Sequence, residues 1–223
     1  MTERPTVVLF VRSPERGKVK SRLASALGED RALELYKTFV IDILGMLRKG
    51  NVPLTVAFSP PNAGAVIIPW LGRELTYIPQ RGEDLGKRMD NAFTDAFSRG
   101  FGKVVLIGSD IPDLSSAVVN LAFSSLEKND AVIGPASDGG YYLIGFKSST
   151  FLPEIFHDME WSTASVYQKT LGILKRAGRL VHVLPEWNDV DTLDDLRSLF
   201  IRNRNTDFRG SLTMSYCRTL FHE

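Results

Sequence analysis

The sequence predicts one α/β domain built on a mostly parallel sheet. Three observations carry that prediction. Short apolar runs rich in β-branched residues recur along the chain, stretches of helical period separate them, and 223 residues suit one such domain better than two. The clearest strand is 104–107, Val-Val-Leu-Ile, apolar enough to be buried on both faces. It breaks on Gly108-Ser109-Asp110, and Pro112 forbids an ordinary continuation of the ladder. Asp110 is therefore expected at the C-terminal end of a central strand, the edge where open α/β sheets bind ligands. There it is a candidate to hold a divalent metal that in turn holds the pyrophosphate of a nucleotide. Taken alone, the segment suits a plain Asp turn better; the rest of the chain reverses that preference.

Composition narrows the classes. Hydrophobic content of 43% and charged content of 24% are ordinary globular values, and 27 Lys plus Arg against 26 Asp plus Glu leave a formal charge of +1. No global field recruits nucleic acid or a membrane surface, so anion binding must come from a local cluster. The one cysteine, Cys217, excludes an internal disulfide and argues against a thiolate zinc site. His157, His182 and His222 are scattered, and no Gly-x-Ser-x-Gly motif is present. Apolar runs fall well short of the roughly 20 residues that span a bilayer. Met-Thr-Glu-Arg-Pro at the start lacks a signal-peptide pattern, and a cytoplasmic protein is expected.

In chain order, the first strand is expected at 6–11. Residues 12–22 follow, and five of these eleven are basic, with Pro14 and Gly17 keeping the first half out of regular helix. A cationic loop directly after the first strand is where α/β nucleotide-binding proteins place phosphate ligands. Arg12, Lys20 and Arg22 are the candidates, with Lys18 ranked below them; a merely solvated basic loop is the alternative. This is not a Walker A loop, since Val19 follows Lys18 where Ser or Thr is needed. Lys20 and Arg22 share a side of an extended loop but not of a helix.

Apolar positions 32, 35, 36, 39, 40, 43, 44 and 47 predict a scaffold helix over 28–49, stopped by Gly50. A second strand is expected at 52–58 and another at 75–78, while 63–74 shows no clear pattern. Gln80, Gly82 and Asp84 precede an amphipathic helix that ends at Gly100, where free backbone N–H groups suit a nucleobase or sugar. The competing view is that Asp84 is only an N-cap and the glycines only turn residues.

Ser115 or Ser116 starts a helix running to 127, followed by strands at 130–134 and 140–146. Asp138-Gly139-Gly140 between them signals a hairpin, and paired glycines let a ligand lie close to the backbone. Ser162 is expected to cap a helix over 163–177, with a strand at 180–184. Thr192 and Asp195 form a capping-box pattern with Asp in place of Glu or Gln. Asp189 and Asp191, two apart just before that helix, project to one side if extended and so reach a metal near Asp110. Alternatively they only complement the helix dipole. After about 204 the period is lost, predicting a single domain over 1–204 and a tail or late edge segment over 205–223.

Three segments together resemble a known family. They are Arg-Ser-Pro-x-x-Gly-x-Val-Lys-Ser-Arg-Leu near the start, Gly-Ser-Asp-Ile-Pro-Asp-Leu with Ser-Asp-Gly-Gly-Tyr-Tyr-Leu-Ile-Gly centrally, and Trp-Ser-Thr with Asp-Val-Asp-Thr later. The set is similar to a bacterial and archaeal family regarded as glycosyltransferases, within the nucleotide-diphospho-sugar transferase superfamily, over about residues 5 to 200. Guanylyltransferases acting on molybdopterin and on phospholactate belong to the same superfamily. The resemblance implies the glycosyltransferase-A fold, a three-layer α/β/α sandwich with a mostly parallel mixed sheet. It also implies a phosphate loop at Arg12, Lys20 and Arg22, with Arg12 where the family usually has Lys and Ser21 where it usually has Thr. Asp110 falls on the superfamily's metal-binding Asp, and Asp191 best matches the second metal position, with Asp189 as substitute. Asp138, Gly139, Gly140 and Trp161 fall where such folds line the acceptor pocket.

The expected chemistry needs no protein nucleophile. A Mg²⁺ or Mn²⁺ ion held by oxygen ligands stabilises charge on the departing nucleotide or pyrophosphate, and fixed cationic side chains add to it. With a nucleotide-sugar donor the reaction is glycosyl transfer to a small-molecule acceptor. With a nucleoside triphosphate it is nucleotidyl transfer to a phosphorylated acceptor. A non-catalytic nucleotide-binding module is the reading from another class. Base, sugar, acceptor and a homodimeric state stay open at this point.

Overall fold

Alternation along one strand divides the molecule into layers. In β1 (Pro5–Arg12), Val7, Leu9 and Val11 face one helical layer, and Val8 and Phe10 face the other. The computed structural model describes residues 4–50 and 52–222; the first three residues, read above for a signal peptide, lie outside them. After β1 come α1 (Ser21–Leu27), α2 (Glu29–Arg48), β2 (Leu54–Ser59), α3 (Gly64–Leu71), β3 (Thr76–Pro79) and α4 (Leu85–Ser98). Then follow β4 (Lys103–Ile107), α5 (Ser116–Ser125), β5 (Ala131–Pro135) and β6 (Tyr141–Lys147). The chain closes with α6 (Val166–Arg176), β7 (Val181–Val183), α7 (Leu193–Asn203) and α8 (Leu212–Phe221).

The sheet order is β3-β2-β1-β4-β6-β5-β7, with β6 antiparallel to both its neighbours and the other pairings parallel. This is the expected three-layer sandwich with a mostly parallel mixed sheet. Helices α2, α3 and α5 cover one face through Ile43, Ile67 and Val119; α4 and α6 cover the other through Phe93 and Leu174. A third apolar cluster joins α1, α2, α7 and α8 around Leu23, Phe39, Leu199 and Cys217. This cluster carries α1, which holds the end of the basic loop, and α7, which follows Asp191. No helix among the described residues is long and apolar enough to cross a membrane.

Several local expectations change. Ser162 does not cap α6: it sits at φ +65, whereas an N-cap is normally extended, and the helix begins at Val166 after Ser165. Arg22 lies on α1 rather than in an extended loop, because Lys20 takes a left-handed conformation (φ 48, ψ 49) and Ser21 opens the helix. The patternless segment 63–74 contains α3, which is apolar nearly all round and carries Pro69 internally, so no helical period survives. The segment after 204, expected as a tail or late edge segment, contains α8. Its N-terminus is held by Asp42 of α2, which accepts from the backbone N–H groups of Leu212 (3.0 Å) and Thr213 (2.8 Å). Ser211 also caps it locally, accepting from Met214 N–H at 3.0 Å, so only the Asp42 part of the cap leaves no local trace in sequence.

Candidate functional site

The loops after β1 and β4 leave adjacent strands and diverge, because β1 pairs with β2 on one side and β4 on the other. This is a topological switch point, and a cavity of about 620 Å³ opens there at the C-terminal ends of the strands. Gly108-Ser109-Asp110 enters it from β4 and the basic loop enters from β1.

The loop is shaped by Gly17 at φ +74 and by Val19, whose side chain is buried in the α2 face of the core. Burying Val19 turns Lys20 inward, and its side chain is only 3% exposed. The Lys20 ammonium pairs with Asp110 and, at 2.8 Å, with Asp191 Oδ1, and it lies 5.5 Å from the Phe39 ring. Burial alone would favour the neutral amine. The two carboxylates outweigh it and hold the Lys20 pKa above the ordinary lysine value. Arg22 Nη1 stands 3.8 Å from Asp191 Oδ2 and is otherwise largely exposed. Three groups far apart in sequence thus meet at one point.

Backbone and side-chain bonds hold the two acidic loops together. Val190 N–H donates to the Asp110 carbonyl at 3.0 Å, which places Asp191 beside Asp110. Asp191 also precedes the observed capping box of α7, in which Thr192 accepts from Asp195 N–H and Asp195 accepts from Thr192 N–H. Asp113, buried, accepts from Arg202 Nε (2.8 Å), Asn203 Nδ2 (2.7 Å) and Trp187 Nε1 (3.0 Å). It ties the Asp110 loop to α7 and to Trp187, which lies beyond β7 and bridges to Ala136.

Asp189 lines the same cavity but turns toward Ser137, 3.5 Å away, rather than toward Lys20. Its pKa is pushed up to about 6, first by burial and then by the Asp138 and Asp191 charges. Tyr36 of α2, which its helical period marks as scaffold, accepts through its hydroxyl from Arg12 N–H (2.8 Å) and donates to the Arg12 carbonyl (2.9 Å). It thereby fixes the point where β1 becomes the basic loop. Its place in the apolar period of α2 hid this role.

Of the other expected residues, Arg12, Gln80, Asp138, Gly140 and Trp161 line the cavity. The Gln80 amide donates to the Ala57 carbonyl at 2.8 Å. Gly82, Asp84 and Gly139 do not line it. Asp84 serves as N-cap of α4, accepting from Lys87 N–H at 2.7 Å, so the plain capping role holds for it. Gly82, at φ +135, is needed for a turn whose Cβ position would meet the Lys87–Arg88 backbone at 2.8 Å. Gly139 supports the hairpin from behind, against Ala164. Lys18 pairs with Glu15 on the surface, outside the cavity. Tyr141, Met89 and Leu85 add an apolar wall beside Trp161, whose ring meets Tyr141 edge-on at 6.5 Å.

The donor set can be tested against a divalent ion. Among the described residues no group of three or more His, Cys, Asp or Glu is placed to hold a metal ion. Asp110 and Asp191 do converge on a single ammonium, which puts their oxygens within reach of one small cation. Mg²⁺ and similar ions are commonly held by one or two carboxylates, with waters and substrate phosphates completing the shell. An open pair of oxygen donors in a cavity with cationic walls fits that mode.

Residues 43–163 match the model of a family described as uncharacterized proteins conserved in bacteria, DUF2064. A structure from Desulfovibrio desulfuricans G20, described as a "putative nucleotide-diphospho-sugar transferase", is 42% identical with a TM-score of 0.96, covering 99% of this chain and 96% of that one. CMP:2-keto-3-deoxy-manno-octonic acid synthetase, solved with CTP, is 12% identical with a TM-score of 0.54 over 89% of this chain and 99% of that one. Rv0371c of Mycobacterium tuberculosis H37Rv, solved with manganese, is 16% identical with a TM-score of 0.53 over 89% of this chain and 98% of that one. The last two likenesses concern the fold. Comparison with curated proteins gives no match.

Proposed function

The chain belongs to the DUF2064 family and has the nucleotide-diphospho-sugar transferase fold, and on that premise we propose that it is a metal-dependent transferase with a nucleotide-activated sugar as donor. The observation that carries this reading is the meeting of Lys20, Asp110 and Asp191 at the switch point between β1 and β4. Such a cluster suits a diphosphate: Lys20, Arg12 and Arg22 supply fixed positive charge, and the two carboxylates supply a seat for an ion. A divalent ion bound there would neutralise charge developing on the leaving diphosphate.

The chain's own residues divide the rest of the work. Arg12 and Arg22 orient the phosphates from the rim. The side of the cavity bearing Ser59 and Gln80 takes the nucleoside, and the side bearing Asp138, Gly140 and Trp161 takes the acceptor. An acceptor hydroxyl attacks the anomeric carbon and gives up its proton to water or to the departing diphosphate, the bond from that carbon to the diphosphate oxygen breaks, and nucleoside diphosphate leaves. No covalent enzyme intermediate is required, and Cys217 is unsuited to form one. It is buried in the α8 cluster with its thiol pushed up to about 12 by that burial.

Product analysis tests the proposal. The purified chain is incubated with a panel of nucleotide-sugars and nucleoside triphosphates, with Mg²⁺ or Mn²⁺ and with chelator. Metal-dependent release of nucleoside diphosphate from a nucleotide-sugar is the expected result. Pyrophosphate released from a triphosphate would instead establish nucleotidyl transfer. Tight binding without either product would mean a nucleotide-binding module.

A further inference from the structure

We propose that Lys20 is a built-in counter-ion that reserves the Asp110–Asp191 pair for a divalent ion already chelated by a polyphosphate, so that the bare ion is refused. This rests on the reading of the cavity given above and adds a rule for what the site accepts: the metal–nucleotide chelate, not the free metal.

The argument is one of charge and burial. A single ammonium, 3% exposed, pairs with both carboxylates, and Arg22 adds a second positive charge 3.8 Å from Asp191. The directly touching groups are thus two cations against two anions, already balanced. A bare divalent ion entering between the carboxylates would add two positive charges and strip Lys20 of both partners. A buried ammonium without a partner is among the costliest arrangements a protein interior can hold. The ammonium also cannot easily swing out to water. Val19 beside it is anchored in the core, Lys20 itself caps the start of α1 in a left-handed conformation, and Phe39 stands behind the charge.

A chelated ion removes the difficulty. Its phosphate oxygens bring the negative charge that restores balance, and they offer Lys20 new acceptors as the carboxylates turn to the metal. Ammonium-to-phosphate bonds are charge-assisted and as short as those they replace. Lys20 therefore changes partners within the cavity without ever being left bare. Metal and nucleotide then enter together or not at all.

Binding of free Mn²⁺, followed by electron paramagnetic resonance or calorimetry without nucleotide, tests this. In the natural chain Asp110→Asn should leave free Mn²⁺ affinity unchanged, because the pair is closed to the bare ion. Lys20→Met should open a site at least tenfold tighter for free Mn²⁺. The gain should vanish in the Lys20→Met, Asp110→Asn double variant, and Lys20→Arg, which keeps the charge, should not show it. With GDP, CDP, UDP or ADP present, affinity for the Mn²⁺–nucleotide should fall at least tenfold in Lys20→Met. Free Mn²⁺ binding that depends on Asp110 in the natural chain would overturn the proposal, as would absence of any gain in a folded Lys20→Met. If Lys20→Met fails to fold, the comparison of the natural chain with Asp110→Asn decides alone. Should no nucleotide bind in any combination, the proposed function falls, while the free-ion measurements still judge Lys20.

Discussion

The backbone N–H of Val190 donates to the carbonyl of Asp110 at 3.0 Å. Since Asp191 follows Val190 directly, this bond sets the distance between the two carboxylates that share Lys20. The acidic pair is therefore held by main chain as well as by charge, and changing one side chain should not dismantle it. Asp110→Asn is expected to keep the fold, with a melting temperature near that of the natural chain. Metal-dependent nucleotide affinity should drop by more than about 100-fold, the upper end of what losing a mere supporting partner costs. Calorimetric titration with Mn²⁺ and nucleotide checks this, and an unchanged affinity would remove Asp110 from the site.

The parts of this site that sequence made legible are those with a local cause. A run of β-branched residues ending in Gly-Ser-Asp places Asp110 correctly because strand, break and carboxylate are adjacent in the chain. The Thr192–Asp195 box is likewise local and is observed as expected. What stayed hidden depends on distant partners. Lys20 looked like one of several loop cations until Val19 packed into the core and turned it inward. Tyr36 kept helical period while spending its hydroxyl on Arg12. Asp113 carries no signal of its own beyond its place in the motif after Pro112, although its partners are Trp187, Arg202 and Asn203. Ser162 failed as a cap because its backbone is left-handed, a conformation its residue type does not announce.

Asp113 yields a stability prediction. Its side chain is 3% exposed and receives the Arg202 guanidinium through Nε at 2.8 Å and Nη2 at 3.2 Å. Asp113→Ala removes the acceptor shared by that guanidinium, the buried Asn203 amide and the Trp187 indole, leaving Arg202 only the Asn188 carbonyl and Asn203 only the Leu199 carbonyl. Breaking such a buried pair from one side costs about 3 kcal/mol or somewhat more. The urea midpoint should fall accordingly with an unchanged slope. Because Asp113 also joins the Asp110 loop to α7, nucleotide affinity should weaken too, in a chain that is still folded.

The raised pKa of Asp189 predicts a pH dependence. Its folded value of about 6 lies above that of an unfolded Asp, so the folded state binds the extra proton between roughly pH 4 and 6. Any stability linked to that proton is complete below about pH 4 and is lost as pH rises through 6. Asp189→Asn cannot pay this cost. It should therefore match the natural chain at pH 4 and be more stable at pH 7, by about 1 kcal/mol once solvent screening of a half-buried group is allowed for. Denaturation curves across pH 4–8 without metal read the difference. A gap that is constant over the range would show that Asp189 does not titrate as its surroundings dictate.

Gly139 tests how the acceptor side of the cavity is built. Its φ is +89, and a Cβ there would stand 2.2 Å from the Ala164 carbonyl oxygen and 2.5 Å from the Ala164 Cα. Both are backbone atoms, so no side-chain rotation relieves the contact. The Gly139 carbonyl also accepts from Tyr167 N–H at 2.9 Å, which seats the hairpin on the start of α6. Gly139→Ala must either strain this conformation or lift the hairpin away. The strain alone is roughly 1–3 kcal/mol, and lifting the hairpin would carry Asp138 and Gly140 out of the cavity wall. The Asp110–Asp191 pair is held by the Val190 N–H bond to the Asp110 carbonyl and by Lys20, not by this hairpin, and should keep its place. Expected, then, are a lower urea midpoint, faster hydrogen exchange at the Tyr167 amide, and affinity for the Mn²⁺–nucleotide within about twofold of the natural chain. Tyr167 protection as strong as in the natural chain would mean that the hairpin accommodates a side chain at 139, and that the close approach to Ala164 does not shape the acceptor wall.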